Sequence, residues 1–225
     1  ITTLLRLAKR SLTEDTSEVN RARWLDLMKR MLVPALSLTK HNPAVAQEVW
    51  ELLKLFPIDI RYNIYAEWFT GKTSRTPDMK VALDRNKAEA KDVLRRITNE
   101  SGKKMARSLA KVSFASPGVV VMTFINQLES YSNMIPGLVE SVRYFSLLSF
   151  DVLTWCLINA LSGQGRNRMQ ADGMLTSPWL QALSLFVASL FTRYTIINPS
   201  PILQYLAYEL RNAESTNLQL IDSVL

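Results

Sequence analysis

Cysteine occurs once in 225 residues, as Cys156, and histidine once, as His41. A single thiol closes no internal disulfide, which fits a reducing compartment. With so few ligands, no His, Cys or carboxylate cluster marks a metal site, and no nucleophile stands beside an imidazole. Cys156 lies in the most apolar stretch, where a cysteine is a small core side chain. Glycine is scarce as well. Seven in the whole chain argue against a sheet protein rich in tight turns, and no run of alternating apolar and polar residues marks a strand. No signal peptide opens the sequence. The longest uncharged run, residues 173–192, reaches membrane-spanning length. It carries Ser-Pro near its start and Gln181, Ser184 and Ser189 further in, so it reads as a helix buried among neighbours. The start at Ile1 and the apolar end LQLIDSVL read as those of a piece of a longer protein.

What is abundant is helical periodicity. With 48% apolar and 21% charged residues the composition is that of a folded globular chain. Trp24, Leu27, Met28, Met31, Ala35 and Leu38 recur at helical spacing, interrupted by Pro34, which should kink the helix by removing the bond to the Arg30 carbonyl. Val45, Val49, Leu52, Leu53 and Phe56 mark the next helix, with Asn42 as its cap and Pro43 at its first position. Val121, Phe124, Ile125 and Leu128 follow Ser116-Pro117. Leu180, Leu183, Val187, Leu190 and Tyr194 follow Ser177-Pro178, and Leu203, Leu206, Ala207 and Leu210 follow Ser200-Pro201. Pro136 marks one more start. Starts near 77, 117, 150 and 200, each interval holding about two helices, predict an all-α fold of antiparallel helix pairs of the HEAT or armadillo type. Four to six pairs in a curved stack are expected, with a compact non-repeating bundle as the alternative. The whole of 1–225 reads as one repeat domain, with basic N-terminal helices and an aromatic hinge over 1–76 and hairpin repeats over 77–225. The segment VLTWCLINAL (152–161) is apolar all round, as a helix with neighbours on both sides must be.

Charge is uneven. The net value is +7, yet residues 1–111 hold 22 Lys and Arg against 13 Asp and Glu, whereas 112–225 hold 5 against 7. Lys80, Arg85, Lys87, Lys91, Arg95, Arg96, Lys103, Lys104, Arg107 and Lys111 crowd one stretch, against Asp84, Glu89, Asp92 and Glu100, with Leu83, Ala90, Val93, Leu94 and Ile97 on the apolar side. Two readings compete. One is a solvated face with pairs such as Asp92–Arg96; the other is a contact surface for RNA or an acidic protein patch. Aromatic residues are absent from the stretch, which speaks against base-specific recognition.

Two further motifs fail or narrow. TGKT (70–73) has the tail of a phosphate-binding loop, but Ala66 stands where the first glycine belongs and the preceding residues are helical; Gly71 reads instead as a left-handed helix end. The glycines of GQGRNR (163–168) lack a third partner at dinucleotide spacing. Glu14, Asp15, Glu48 and Glu51 read as solvated charges at helix starts. Around Arg61, with Asp59 as cap, a wheel from Ile60 sets Ile60, Ile64, Trp68, Tyr65, Phe69 and Tyr62 on an arc of about 200°. Arg61 falls in its middle. Its charge must stay solvated, stack on Tyr65 or Trp68, or pair with a carboxylate of a neighbouring helix. An aromatic stripe at this spacing reads as a core seam, hence a structural hinge between two repeats with Arg61, Tyr62, Tyr65, Trp68 and Phe69 as its members. Catalytic, metal and cofactor residues are not expected.

Several longer stretches carry a resemblance. They are EVWELLKLFPIDIRYNIYAEW (48–68), AEAKDVLRRITNES (88–101), the block LAKVSFASPGVVVMTFINQLES running on to Leu161 (109–161), WLQALSLFVASLFTRY (179–194) and ILQYLAYELRNAES (202–215). Together they resemble the family of the large scaffold subunit of the THO transcription–export complex, over about three-quarters of the chain and weakly over its first 40 residues. The resemblance implies a middle segment of that subunit, an α-helical repeat similar to the middle domain of the initiation factor 4G scaffold. It also implies other THO subunits and a nuclear DEAD-box RNA ATPase as partners, a nuclear location and a role in packaging messenger RNA for export. It implies no cofactor. The charged half adds RNA as a direct partner, and the fragment is expected to be monomeric and away from membranes.

Overall fold

Proline fixes φ and lacks an N–H, so it is tolerated where a helix begins, and the computed structural model uses it that way. It describes residues 1–96, 102–130, 132–163, 165–171 and 175–212, with Thr216, Leu218, Leu220 and Asp222. The elements are α1 (Thr2–Glu14), α2 (Glu18–Leu27), α3 (Pro43–Leu53), α4 (Ile58–Phe69), α5 (Pro77–Leu94), α6 (Gly102–Ser113), α7 (Pro117–Ser130), α8 (Ile135–Ser141), α9 (Leu147–Ser162), α10 (Pro178–Arg193) and α11 (Ser200–Arg211). Pro43, Pro117, Pro136, Pro178 and Pro201 all fall within the first two positions of their helices. The Asn42 side chain caps α3 by accepting from the N–H of Ala44 and Val45. Among the described residues the one β-type pairing is an isolated bridge between Met169 and Thr176. No described helix is long and apolar enough to cross a membrane.

Helices α5, α7 and α9 pack side by side in one layer and α6, α8 and α10 in a second, with α5 against α6 and α7 against α10 between the layers. This is the hairpin row that the starts at 77, 117 and near 150 predict. Helix α11 packs on α9. The first four helices do not simply lengthen the row. α1 packs on α3, and both α3 and α4 lie across α9. One contiguous core runs from Leu5 to Leu220. α9 touches α3, α4, α7, α10 and α11, which is why its apolar residues go all round.

Several expectations are corrected. The stripe from Trp24 to Leu38 does not survive Pro34. Residues Met28–Leu32 form a π turn in which the Val33 N–H reaches the Met28 carbonyl, and Pro34–Leu38 continue as a 3₁₀ turn. The wider turn takes in an extra residue and rotates the face, so Met28, Leu32, Val33 and Leu36 are buried while Met31 and Leu38 are 62% and 50% exposed. On α11 it is Pro201, Ile202 and Leu206 that face inward, and Leu203, Ala207 and Leu210 lie exposed. Helix α4 begins at Ile58 behind Pro57, so Asp59 sits in its first turn and is not its cap. Gly71 is not left-handed; among the described residues positive φ occurs at His41, Gly163 and Gly165. A Cβ at Gly71 would instead run into the Glu67 side chain. Glu48 and Glu51 are mid-helix and bind Arg6 and Lys9 of α1, while Glu14 ends α1 and the Asp15 carboxylate accepts from the Ser17 N–H. Of the apolar side proposed for residues 80–111, Ala90 and Leu94 are buried and Leu83 and Val93 half-buried; Ile97 lies outside the described residues.

Candidate functional site

The aromatic stretch of α4 is a seam. Ile64, Tyr65 and Trp68 are fully buried, and Trp68 stacks on Phe69 with ring centres 4.3 Å apart. Phe69 and Tyr65 both approach Trp155 of α9, at 6.1 and 6.2 Å. Arg61 does not stack on Tyr65 or Trp68. Its Nε and Nη2 donate to the two oxygens of Asp151 at 2.9 and 3.1 Å, and its Nη1 donates to the Phe56 carbonyl at 3.0 Å. The guanidinium lies over Trp50 of α3, 5.6 Å from its centre. The Tyr65 hydroxyl adds a third bond to Asp151 at 2.7 Å. Of the three ways to accommodate the charge, the neighbouring carboxylate is the one used. A planar fork on a carboxylate holds both partners in one geometry, so α3, α4 and α9 are fastened at a single point 90 residues apart in sequence.

The ion pair is mostly out of water, with side chains 15% and 13% exposed. Burial alone would pull the Arg61 guanidinium down, but the hydrogen bonds and charge of Asp151 outweigh it and hold the group above its ordinary value. Burial, and then the charge of Asp151, push the Tyr65 and Tyr62 hydroxyls well above the usual phenol range. The Tyr62 hydroxyl is buried without a hydrogen-bond partner among the described residues. It borders a cleft of about 230 Å³ lined by Trp50, Arg61, Asp151, Thr154 and Pro201.

Asp151 is absent from the sequence reading, although a signal existed. It is the one charged residue between Arg143 and Arg166, a lone acid in an apolar helix, as Arg61 is a lone base in an aromatic one. A second group went unread. The Trp68 indole donates to the Ser37 hydroxyl at 2.9 Å, Ser116 donates to Ser37 at 2.8 Å, and the Asn86 amide donates to Ser116 at 2.8 Å. All four side chains are buried. Serines and an asparagine give no periodic signal, so only packing reveals such a network.

The basic residues divide between two helices and are all exposed: Lys80, Arg85, Lys87, Lys91, Arg95 and Arg96 on α5 and its end, and Lys103, Lys104, Arg107 and Lys111 on α6. Arg96 pairs with Asp92 at 2.7 Å, as the spacing predicts. The TGKT turn holds a carboxylate of its own chain. Thr73 donates its N–H and hydroxyl to Glu67 at 3.0 and 2.9 Å, and the backbone N–H keeps that carboxyl below its usual range. Cys156 is buried, and burial pushes its thiol up. Among the described residues no group of three or more His, Cys, Asp or Glu is placed to hold a metal.

Comparison with known proteins supplies the context. Residues 1–107 match the family described as THO complex subunit 2 N-terminus, and residues 109–184 match the one described as Transcription- and export-related complex subunit. The chain is 32% identical over 205 residues to THO complex subunit 2 of Arabidopsis thaliana, covering 91% of this chain and 11% of the relative. It is 30% identical over 212 residues to the human THO complex subunit 2, covering 94% and 13%.

The chain belongs to the THO complex subunit 2 family.

A yeast THO complex subunit 2, from Saccharomyces cerevisiae, matches at 29% over 203 residues, 90% of this chain and 13% of the relative. The chain thus spans about one-eighth of the length of the THO complex subunit 2 relatives it matches. The match begins at residue 1, so the likeness that is weak to the eye over the first 40 residues extends through them. The family descriptions are of complex subunits and not of an enzyme, in line with a non-catalytic chain.

Proposed function

We propose that the chain is a non-catalytic scaffold segment of the THO complex in the nucleus. In this reading it contacts other THO subunits, and it docks and regulates a nuclear DEAD-box RNA ATPase while messenger RNA is packaged for export. The observation that carries it is the hairpin row α5–α10 in a chain of this family, an architecture suited to holding partners at set positions. The Arg61–Asp151 fastening supports it, since a scaffold needs fixed geometry between its helix sets. Residues 1–225 act as one domain, with 1–76 lying across the repeats of 77–225, and the fragment is monomeric, needs no cofactor and does not enter membranes.

The test is a titration of the chain against the nuclear DEAD-box ATPase while following ATP hydrolysis. The chain alone should hydrolyse nothing, and the partner's turnover should change with a half-saturation in the micromolar range, about −8 kcal/mol. Unchanged turnover together with no binding at far higher concentration refutes the scaffold reading. A second reading, direct non-specific RNA binding, is favoured by the exposure of all ten basic side chains at 80–111.

A further inference from the structure

The fold regroups the basic residues in a way the sequence does not show. Of the six on α5 and its end, Arg85 and Arg96 lie among Asp78, Glu89 and Asp92, and Lys80, Lys87 and Lys91 lie together beside Asp84, so these six cations share the helix with four carboxylates. On α6, Lys103, Lys104, Arg107 and Lys111 lie within an arc of about 100°, and α6 carries no acid. Packing of α6 on α8 and on the turn Val142–Tyr144 extends this arc. The Arg107 guanidinium lies 5.3 Å from the centre of the Tyr144 ring, and Arg143 lies 5.9 Å from the same ring. Arg143 and Arg193 share the single carboxylate of Glu140. Six cations from α6, the turn Val142–Tyr144 and α10 therefore meet one acid, Glu140, among the described residues.

We propose that this band, from Lys103 through Arg107, Tyr144 and Arg143 to Arg193, is a track for the phosphodiester backbone of single-stranded RNA. The proposal rests on the RNA reading above and narrows its site from the whole of 80–111 to the α6 part of it, extended over α8 and α10. Two features select RNA over an acidic protein segment. The cations at Lys103, Arg107 and Lys111 recur at a rise of about 6 Å, a repeat that suits successive phosphates of an extended strand. Tyr144 with its flanking guanidiniums offers a planar surface on which an unpaired base can stack, a feature for which an acidic peptide has no use. No base-edge reader accompanies it, so binding is indifferent to sequence.

The experiment is fluorescence anisotropy of a short labelled uridine oligonucleotide with the 225-residue chain over a series of salt concentrations. Four or five phosphate contacts predict a log–log salt slope of about −3. Arg107→Glu with Lys111→Glu should weaken binding about tenfold or more at low salt and flatten the slope by at least about 1. The matched pair on α5, Lys87→Glu with Lys91→Glu, should change affinity less than about threefold. Circular dichroism checks the fold of each; should the α6 pair not fold, Lys104→Gln with Arg193→Gln carries the same comparison. Equal losses from the two pairs overturn the track while leaving the RNA reading standing. Absence of RNA binding overturns both, and binding of polyglutamate in its place identifies an acidic protein as the partner.

Discussion

Removing Asp151 tests the fastening of α3 and α4 to α9. In Asp151→Ala the Arg61 guanidinium stays behind, its side chain only 15% exposed in the parent, with the Phe56 carbonyl as its remaining polar neighbour. Leaving one member of a buried pair unpaired costs about 3–5 kcal/mol, and the Tyr65 hydroxyl, fully buried, also loses its acceptor, about 1–3 kcal/mol. For a chain of this size each kcal/mol moves Tm by about 2–4 °C. The single change should therefore lower Tm by roughly 10 °C or more. The informative counterpart removes all three polar groups together as Arg61→Met, Asp151→Leu and Tyr65→Phe. Packed apolar replacements for a buried ion pair are often neutral or better, so the triple variant should recover most of the loss. Melts followed by circular dichroism at fixed pH and salt give both numbers. If Asp151→Ala melts within about 2 °C of the parent, or if the triple variant falls further than the single one, the pair is not a buried fastening.

Trp68→Ala should cost about 3–5 kcal/mol, because the ring is fully buried and its N–H is the link to Ser37; a parent-like melt with weakened ATPase binding would make the cluster an interface instead of a seam. Gly118→Ala places a methyl 2.6 Å from the Phe69 ring, so it should destabilise by about 1–3 kcal/mol, and an unchanged denaturant midpoint would show that the α4–α7 approach is not tight. Tyr62 and Tyr65 both titrate above their ordinary value of 10.0 in the folded state. Their stabilisation is therefore complete below pH 10 and is lost as pH rises above it, by about 1.4 kcal/mol per pH unit for each group; a Tm flat from pH 9.5 to 11 contradicts this. Cys156 should react with a disulfide reagent only after denaturation, since burial holds it as a thiol, and rapid labelling of the native chain would place it at the surface.

Much of the architecture is written locally. A proline at the first turn and the apolar spacing behind it mark α3, α5, α7, α10 and α11, because helix starts and 3.6-residue periodicity depend on near neighbours in the chain. The all-round apolar character of α9 announces a central helix for the same reason. Local rules also show where they end. At Pro34 the periodicity continues on paper, but the chain must satisfy its backbone by widening into a π turn and tightening into a 3₁₀ turn, and the buried face changes from Met31 to Leu32 and Val33. On α11, periodicity names an apolar stripe without saying which part of it meets α9.

The sites follow the same division. That Arg61 needed help was plain from its aromatic surroundings; that Asp151 supplies it, 90 residues on, depends on α4 crossing α9. The run of lysines and arginines at 80–111 is visible as composition, yet charge acts through distance in space. Only the packing of α6 on α8 and on the turn Val142–Tyr144, and of α8 on α10, brings four of those residues into one surface with Tyr144, Arg143 and Arg193. Helix starts and apolar periodicity are properties of short segments, and one strand of letters suffices for them. Ion pairs, the serine–asparagine–tryptophan network and the extended positive face join residues from separate segments, and their energies exist only once those segments are packed.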